Sequence, residues 1–109
     1  MMELVIGPRR SGKTTVIEER VRETLFDGKS FRPIVVVPSM SMADRWVRLG
    51  CAKHDIITAH QLHTLQGGSL DREIYIDDLD MILATLIREP ITCASLTISG
   101  PVTHLPQLT

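Results

Sequence analysis

Gly7-Pro8-Arg9-Arg10-Ser11-Gly12-Lys13-Thr14, directly behind the apolar run Leu4-Val5-Ile6, decides how the rest of the chain is read. It matches the phosphate-loop pattern G-x-x-x-x-G-K-[ST], in the strand–loop–helix setting that the pattern requires. Backbone N–H groups of such a loop, together with the positive end of the helix behind it, form an anion cradle. Lys13 is placed to reach the outer phosphates, and the Thr14 hydroxyl to take a position on Mg²⁺. The expected nucleotide-binding set is Gly7, Pro8, Arg9, Arg10, Ser11, Gly12, Lys13, Thr14 and Thr15.

Composition narrows the partners. With Lys+Arg 12 against Asp+Glu 13, there is no global basic field of the kind that drives non-specific nucleic-acid binding, and only a local patch is open to that role. Cys51 and Cys93 are too few for a disulfide scaffold or a four-cysteine zinc site, and read as small core or surface residues in a reducing compartment. His60 and His63 share a helix side, but no Cys or acid pair completes a metal set. Met1-Met2-Glu3 enters the first strand with no basic leader, and no apolar run approaches a membrane span. A soluble, cytoplasmic protein with no membrane contact is expected.

Periodicity organises the remainder. Glu3 to Ile6 and Pro33 to Val37 are continuous apolar runs of the kind buried on both faces of a parallel sheet. From Thr14 to Phe26 a helix is expected, with Ile17, Val21 and Leu25 on its core stripe and a Glu18–Arg22 pair on its wet side. Asp27-Gly28 would end it. Ser39 or Ser41 can cap a second helix running to Leu49, with Trp46 and Leu49 inward and Gly50 as terminator. Asp55 to Ala59 is a weaker strand, and His60 to Gln66 a short turn closed by Gly67-Gly68.

Arg72 to Asp78 is the fourth strand. Leu79, Ile82, Leu83, Leu86 and Ile87 then repeat at helical spacing up to Pro90, and Ala94 to Ile98 is the fifth strand. Alternation of this kind predicts an α/β fold of three layers, a five-stranded, mainly parallel sheet between helices, with ligands at the carboxyl ends of the strands. Residues 1–101 form the single domain, and 102–109 a short irregular tail.

An apolar strand ending in Asp77-Asp78, well downstream of a phosphate loop, is the pattern of a metal-linked carboxylate followed by one that orients the attacking water. Asp77 is the candidate for Mg²⁺, opposite Thr14, and Asp78 the catalytic candidate beside Lys13. An aspartate is one methylene shorter than the glutamate more usual there, so slow hydrolysis is compatible with intact binding. The other reading makes Asp78 or Asp80 a helix N-cap.

Taken together, these residues resemble the additional-strand P-loop NTPases, and within them the first RecA-like domain of superfamily 1 helicases in minimal form. Gly7 to Thr14 is similar to motif I, Val35 to Ala43 to motif Ia, Ile57 to Leu62 to the Thr-Phe-His segment, and Ile74 to Asp78 to motif II. Ser99-Gly100-Pro101 sits where the sensor strand of motif III should end. The resemblance implies ATP or ADP with Mg²⁺, Ser99 as a catalytic sensor near the terminal phosphate, and Ser39, Ser41, Thr58 and His60 along a single-stranded nucleic acid. That family places its fifth strand between the phosphate-loop strand and the motif II strand. Pro101-Val102 replaces the acid and glutamine with which motif III usually continues.

No adenine-reading glutamine motif precedes the first strand, and no second RecA-like domain follows the fifth. The resemblance therefore implies an ATPase that needs a homo-oligomer or a protein partner to supply an arginine finger, for which Arg45, Arg48, Arg72 and Arg88 are candidates. Trp46, with Arg45 and Arg48, offers stacking to a nucleic acid, although its spacing favours packing on the sheet. Two alternatives stand beside this reading. One is a small nucleoside kinase of the thymidine kinase layout, which lacks here the cysteine-rich zinc lobe and lasso of that family. The other is a nucleotide-gated interaction module with little turnover.

Overall fold

The computed structural model describes residues 2–8, 11–27, 32–65 and 72–106. Its regular elements are β1 (Leu4–Ile6), α1 (Lys13–Phe26), β2 (Arg32–Val37), α2 (Asp44–Leu49), β3 (Ile56–Thr58), β4 (Arg72–Ile76), α3 (Leu79–Ile87) and β5 (Val102–His104). Short 3₁₀ segments at Met40–Met42, Lys53–Asp55 and Ala59–Leu65 join them. Every strand pairing is parallel. No helix among the described residues is long and apolar enough to cross a membrane.

β2 is the hub because it is apolar on both sides. Successive side chains of a strand point to opposite faces. Val35 and Val37 pack with Val21 of α1, Trp46 of α2, Ala43, Cys51 and Ile56, whereas Val36 packs with Ala59 and Ile82 of α3. All three valines are fully buried. Helices therefore cover both faces of the sheet around β2, and the expected stripe of Ile17, Val21 and Leu25 on α1 packs into the first of these clusters.

The expectation of one five-stranded sheet is corrected. The described strands form a three-stranded sheet of order β3-β2-β4 and a separate two-stranded sheet of β1 and β5. The fifth strand is also displaced. Residues 91–99 take no regular structure, Leu96 is exposed, and β5 forms at Val102–His104 in what was expected to be an irregular tail.

Pro101 explains the start of β5. It lacks an N–H but lends its carbonyl to Leu4 N (3.0 Å), after which Leu105 N closes the far end on Ile6 O (2.9 Å). The 94–98 stretch is a short run broken by Ser95 and Thr97, a pattern that cannot by itself be told from coil.

Two local expectations also change. Neither Ser39 nor Ser41 caps α2, whose N-cap position is Ala43; the two serine hydroxyls bond each other instead, at 2.8 Å. Glu18 reaches across to Arg45 of α2 rather than along α1 to Arg22. Gly28, Gly67 and Gly68 lie outside the described residues.

Candidate functional site

The loop between β1 and α1 is built on two glycines that no other residue replaces cheaply. Gly12, at the N-cap of α1, has φ 89° and ψ 19°, a left-handed conformation that costs about 1–2 kcal/mol with a side chain. A Cβ on Gly7 would lie 2.5 Å from Ser11 Oγ and 2.9 Å from the carbonyl oxygen of Leu105. Gly7 thus packs tightly against Ser11, which is buried, and against the residue that follows β5.

Lys13 opens α1 and turns its ammonium back over this loop. Its Nζ donates to Gly7 O and Pro8 O, both at 2.7 Å, with Ser11 Oγ at 3.4 Å. An ammonium that faces loop carbonyls on one side and solvent on the other is placed to serve an anion held by the same loop. Arg9 and Arg10, both in the expected binding set, lie outside the described residues. Pro8 and Thr15 are exposed on either side of the loop.

The second half of the site arrives from β4. Thr14 Oγ1 donates to Asp77 Oδ1 at 3.1 Å and lies 3.3 Å from Oδ2, an interaction spanning 63 positions of sequence. Asp77 follows β4 directly, and its N–H is fixed by Val36 O at 3.1 Å. Burial pushes the Asp77 carboxyl up from its ordinary range, while the Thr14 hydroxyl and the charges of Arg45 and Lys13 pull it down. A hydroxyl and a carboxylate brought together at the mouth of a phosphate loop form a hard oxygen donor pair. That set suits Mg²⁺, which keeps several waters and needs only one or two protein ligands beside phosphate.

Asp78 occupies the N-cap position of α3 in a left-handed conformation, φ 67° and ψ 57°, and its side chain makes no capping bond. Its carboxyl is pushed up by burial first, then by a hydrogen bond and the charge of Asp80, then by Asp77. Its backbone still serves the helix, since Ile82 N donates to Asp78 O at 3.0 Å. Aspartate tolerates this conformation better than most residues, and the carboxyl, with no cap to make, lies among those of Asp80 and Asp77.

The remaining candidates are dispersed. Ser99 is exposed within the irregular 91–99 stretch, ahead of β5 rather than behind it. The residues that reach the loop end of β1 are His104, in register with Ile6, and Leu105. Ser39, Ser41 and His60 are exposed. Thr58 is buried, and Gln61 Oε1 accepts both its N–H (2.9 Å) and its hydroxyl (3.3 Å). Trp46 is 1% exposed, so it packs in the core and is not available for stacking.

Two residues at the site were not singled out together by the sequence reading. Glu18 stands one turn along α1 from Thr14, and its carboxylate accepts from Arg45 Nε. The i, i+4 spacing from Thr14 was the only signal available for Glu18, and the partner is 27 positions away. The chain matches no protein-family model, and no curated protein and no solved structure shows significant similarity to it.

Proposed function

We propose that this chain is a nucleotide-binding P-loop domain that takes ATP or ADP with Mg²⁺ and hydrolyses ATP slowly on its own. The observation that carries the reading is the bond between the Thr14 hydroxyl and the Asp77 carboxylate beside the Lys13-lined loop. Neither the loop pattern nor the acidic strand end requires the other locally, yet the fold joins them.

In this reading the loop amides from Gly7 to Thr14 and the start of α1 hold the phosphates, and Lys13 moves from the loop carbonyls onto them. Thr14 and Asp77 would hold Mg²⁺, which supplies charge neutralisation at the phosphates when bound. Asp78 accepts a hydrogen bond from the attacking water and orients it. The resemblance to a superfamily 1 RecA-like domain extends the proposal to single-stranded nucleic acid, with exposed Ser39, Ser41 and His60 as contacts; buried Thr58 then acts by shaping the turn through Gln61. β5 pairs with β1, one of the two neighbours that family gives its fifth strand, while β4 lies in the other sheet.

Asp78 also favours a second reading. Its carboxyl faces Asp80 as well as Asp77, an environment that serves a nucleotide-gated module with little turnover as readily as an ATPase. Isothermal titration tests the part common to both. Mg·ADP should bind the unaltered protein, and Lys13→Ala should weaken it by about a hundredfold, the effect of removing a charge-assisted contact from a bound phosphate; equal affinity in the two proteins would refute the phosphate assignment.

A further inference from the structure

The sequence offers four arginines as a finger reaching a neighbour's nucleotide. One of them, Arg45, is held within its own chain by a residue of α1. Arg45 sits on α2, next to Trp46, whose full burial fixes the base of the side chain. Its Nε donates to Glu18 Oε1 on α1. Glu18 lies four positions after Thr14, so the two share one face of α1, and Thr14 in turn bonds Asp77.

The guanidinium is thus held by a residue one helical turn from Thr14, the hydroxyl partner of Asp77. The two ends of the ion pair are unequal in exposure. The Glu18 side chain is 17% exposed, whereas that of Arg45 is 52% exposed, which leaves most of the five guanidinium donors turned to solvent. The exposed end of the pair is open to a competing anion. A terminal phosphate takes the same two-pronged contact from an arginine as a carboxylate does and carries more charge.

We propose that Arg45 contacts the terminal phosphate of a nucleoside triphosphate bound in its own chain, and that Glu18 holds it when that phosphate is missing. This rests on the phosphate-loop reading and adds to it a group that distinguishes triphosphate from diphosphate. The donor competes between two acceptors, so it has opposite consequences for its two partners. Removing Arg45 costs triphosphate binding, whereas removing the charge of Glu18 releases Arg45 and favours it.

Titration of Mg·ADP and of a non-hydrolysable Mg·ATP analogue into the full chain and its Arg45→Ala, Arg45→Lys and Glu18→Gln variants tests this. Circular dichroism and Trp46 fluorescence report whether each variant is folded. Arg45→Ala should bind ADP within about twofold of the parent and the analogue roughly tenfold more weakly, as for loss of one hydrogen bond between charged groups. Arg45→Lys should recover part of the loss, and Glu18→Gln should tighten the analogue alone. The proposal is overturned if Arg45→Ala weakens both nucleotides alike or neither, or if Glu18→Gln weakens the analogue as Arg45→Ala does, the mark of a merely structural ion pair. Absence of ADP binding to the parent chain overturns the phosphate-loop reading and this proposal with it; ADP binding with an unchanged triphosphate preference sinks the Arg45 contact alone.

Discussion

The space at Gly7 is closed by backbone on one side, since the Leu105 carbonyl belongs to the end of β5 and cannot rotate away as a side chain would. Gly7→Ala should therefore shift the loop against β5, lowering stability by about 1–3 kcal/mol in chemical denaturation and weakening Mg·ADP binding together; a variant of unchanged stability would show that β5 does not pack there. A second cluster is readable with its sign. The Tyr75 hydroxyl donates to Glu73 Oε2 at 2.6 Å and meets Thr24 Oγ1 at 2.5 Å. Burial first, and the Glu73 carboxylate second, raise its pKa from 10.0 to about 12. The folded state keeps the phenol proton that the unfolded state loses first, so the stabilisation is complete below about pH 10 and is lost as pH rises through the folded value. Denaturation midpoints measured at about pH 9 and about pH 11 should fall in the parent, and fall less in Tyr75→Phe.

Among the elements, α2 is the most dependent on a single residue. It is a six-residue helix whose N-cap position, Ala43, offers no side-chain bond, far too short to persist on local propensity. Trp46 holds it, fully buried against β2 and α1, while Gly50 ends it at φ 123°. Trp46→Ala should cost about 3–5 kcal/mol in urea unfolding; a loss below about 1 kcal/mol would mean that α2 is anchored elsewhere. Since α2 also carries Arg45, this packing sets where that side chain meets Glu18. β4 contrasts with it. Its Ile74 and Ile76 stay exposed, although Ile82 of α3 is buried against Val36 in the neighbouring strand.

Across the molecule, the candidate site is where the two sheets approach each other. β1 brings the loop, β4 brings Asp77-Asp78, and α1 crosses between them, packing Val21 against β2 and pairing Arg20 with Glu3 at 3.0 Å beside β1. Chemistry that needs both halves depends on that assembly. Phosphate release from ATP should be measurable, should rise several-fold with single-stranded DNA, and should fall by about 10²-fold in Asp78→Asn if that carboxylate orients water. A rate indifferent to both changes would favour the gated module, and phosphoryl transfer to a nucleoside would favour the kinase.

Much of this was legible in residue order. The loop pattern, the helix behind it, the apolar β2 run, the inward Trp46 and the acidic end of β4 are short-range signals, because strand alternation, helical spacing and glycine placement are written within a few neighbouring positions. The partition into two sheets, the strand at Val102–His104 in place of 94–98, and the Glu18–Arg45 pair were not. Each of those depends on which surfaces meet across tens of residues, where a short apolar run has no preference of its own. The chain order thus determined the Gly-x-x-x-x-Gly-Lys-Thr pattern of the loop. Only tertiary packing decided that Thr14 meets Asp77 and that Glu18 meets Arg45, because hydrogen bonds between distant residues form only once the core between α1, α2 and β2 has fixed their positions.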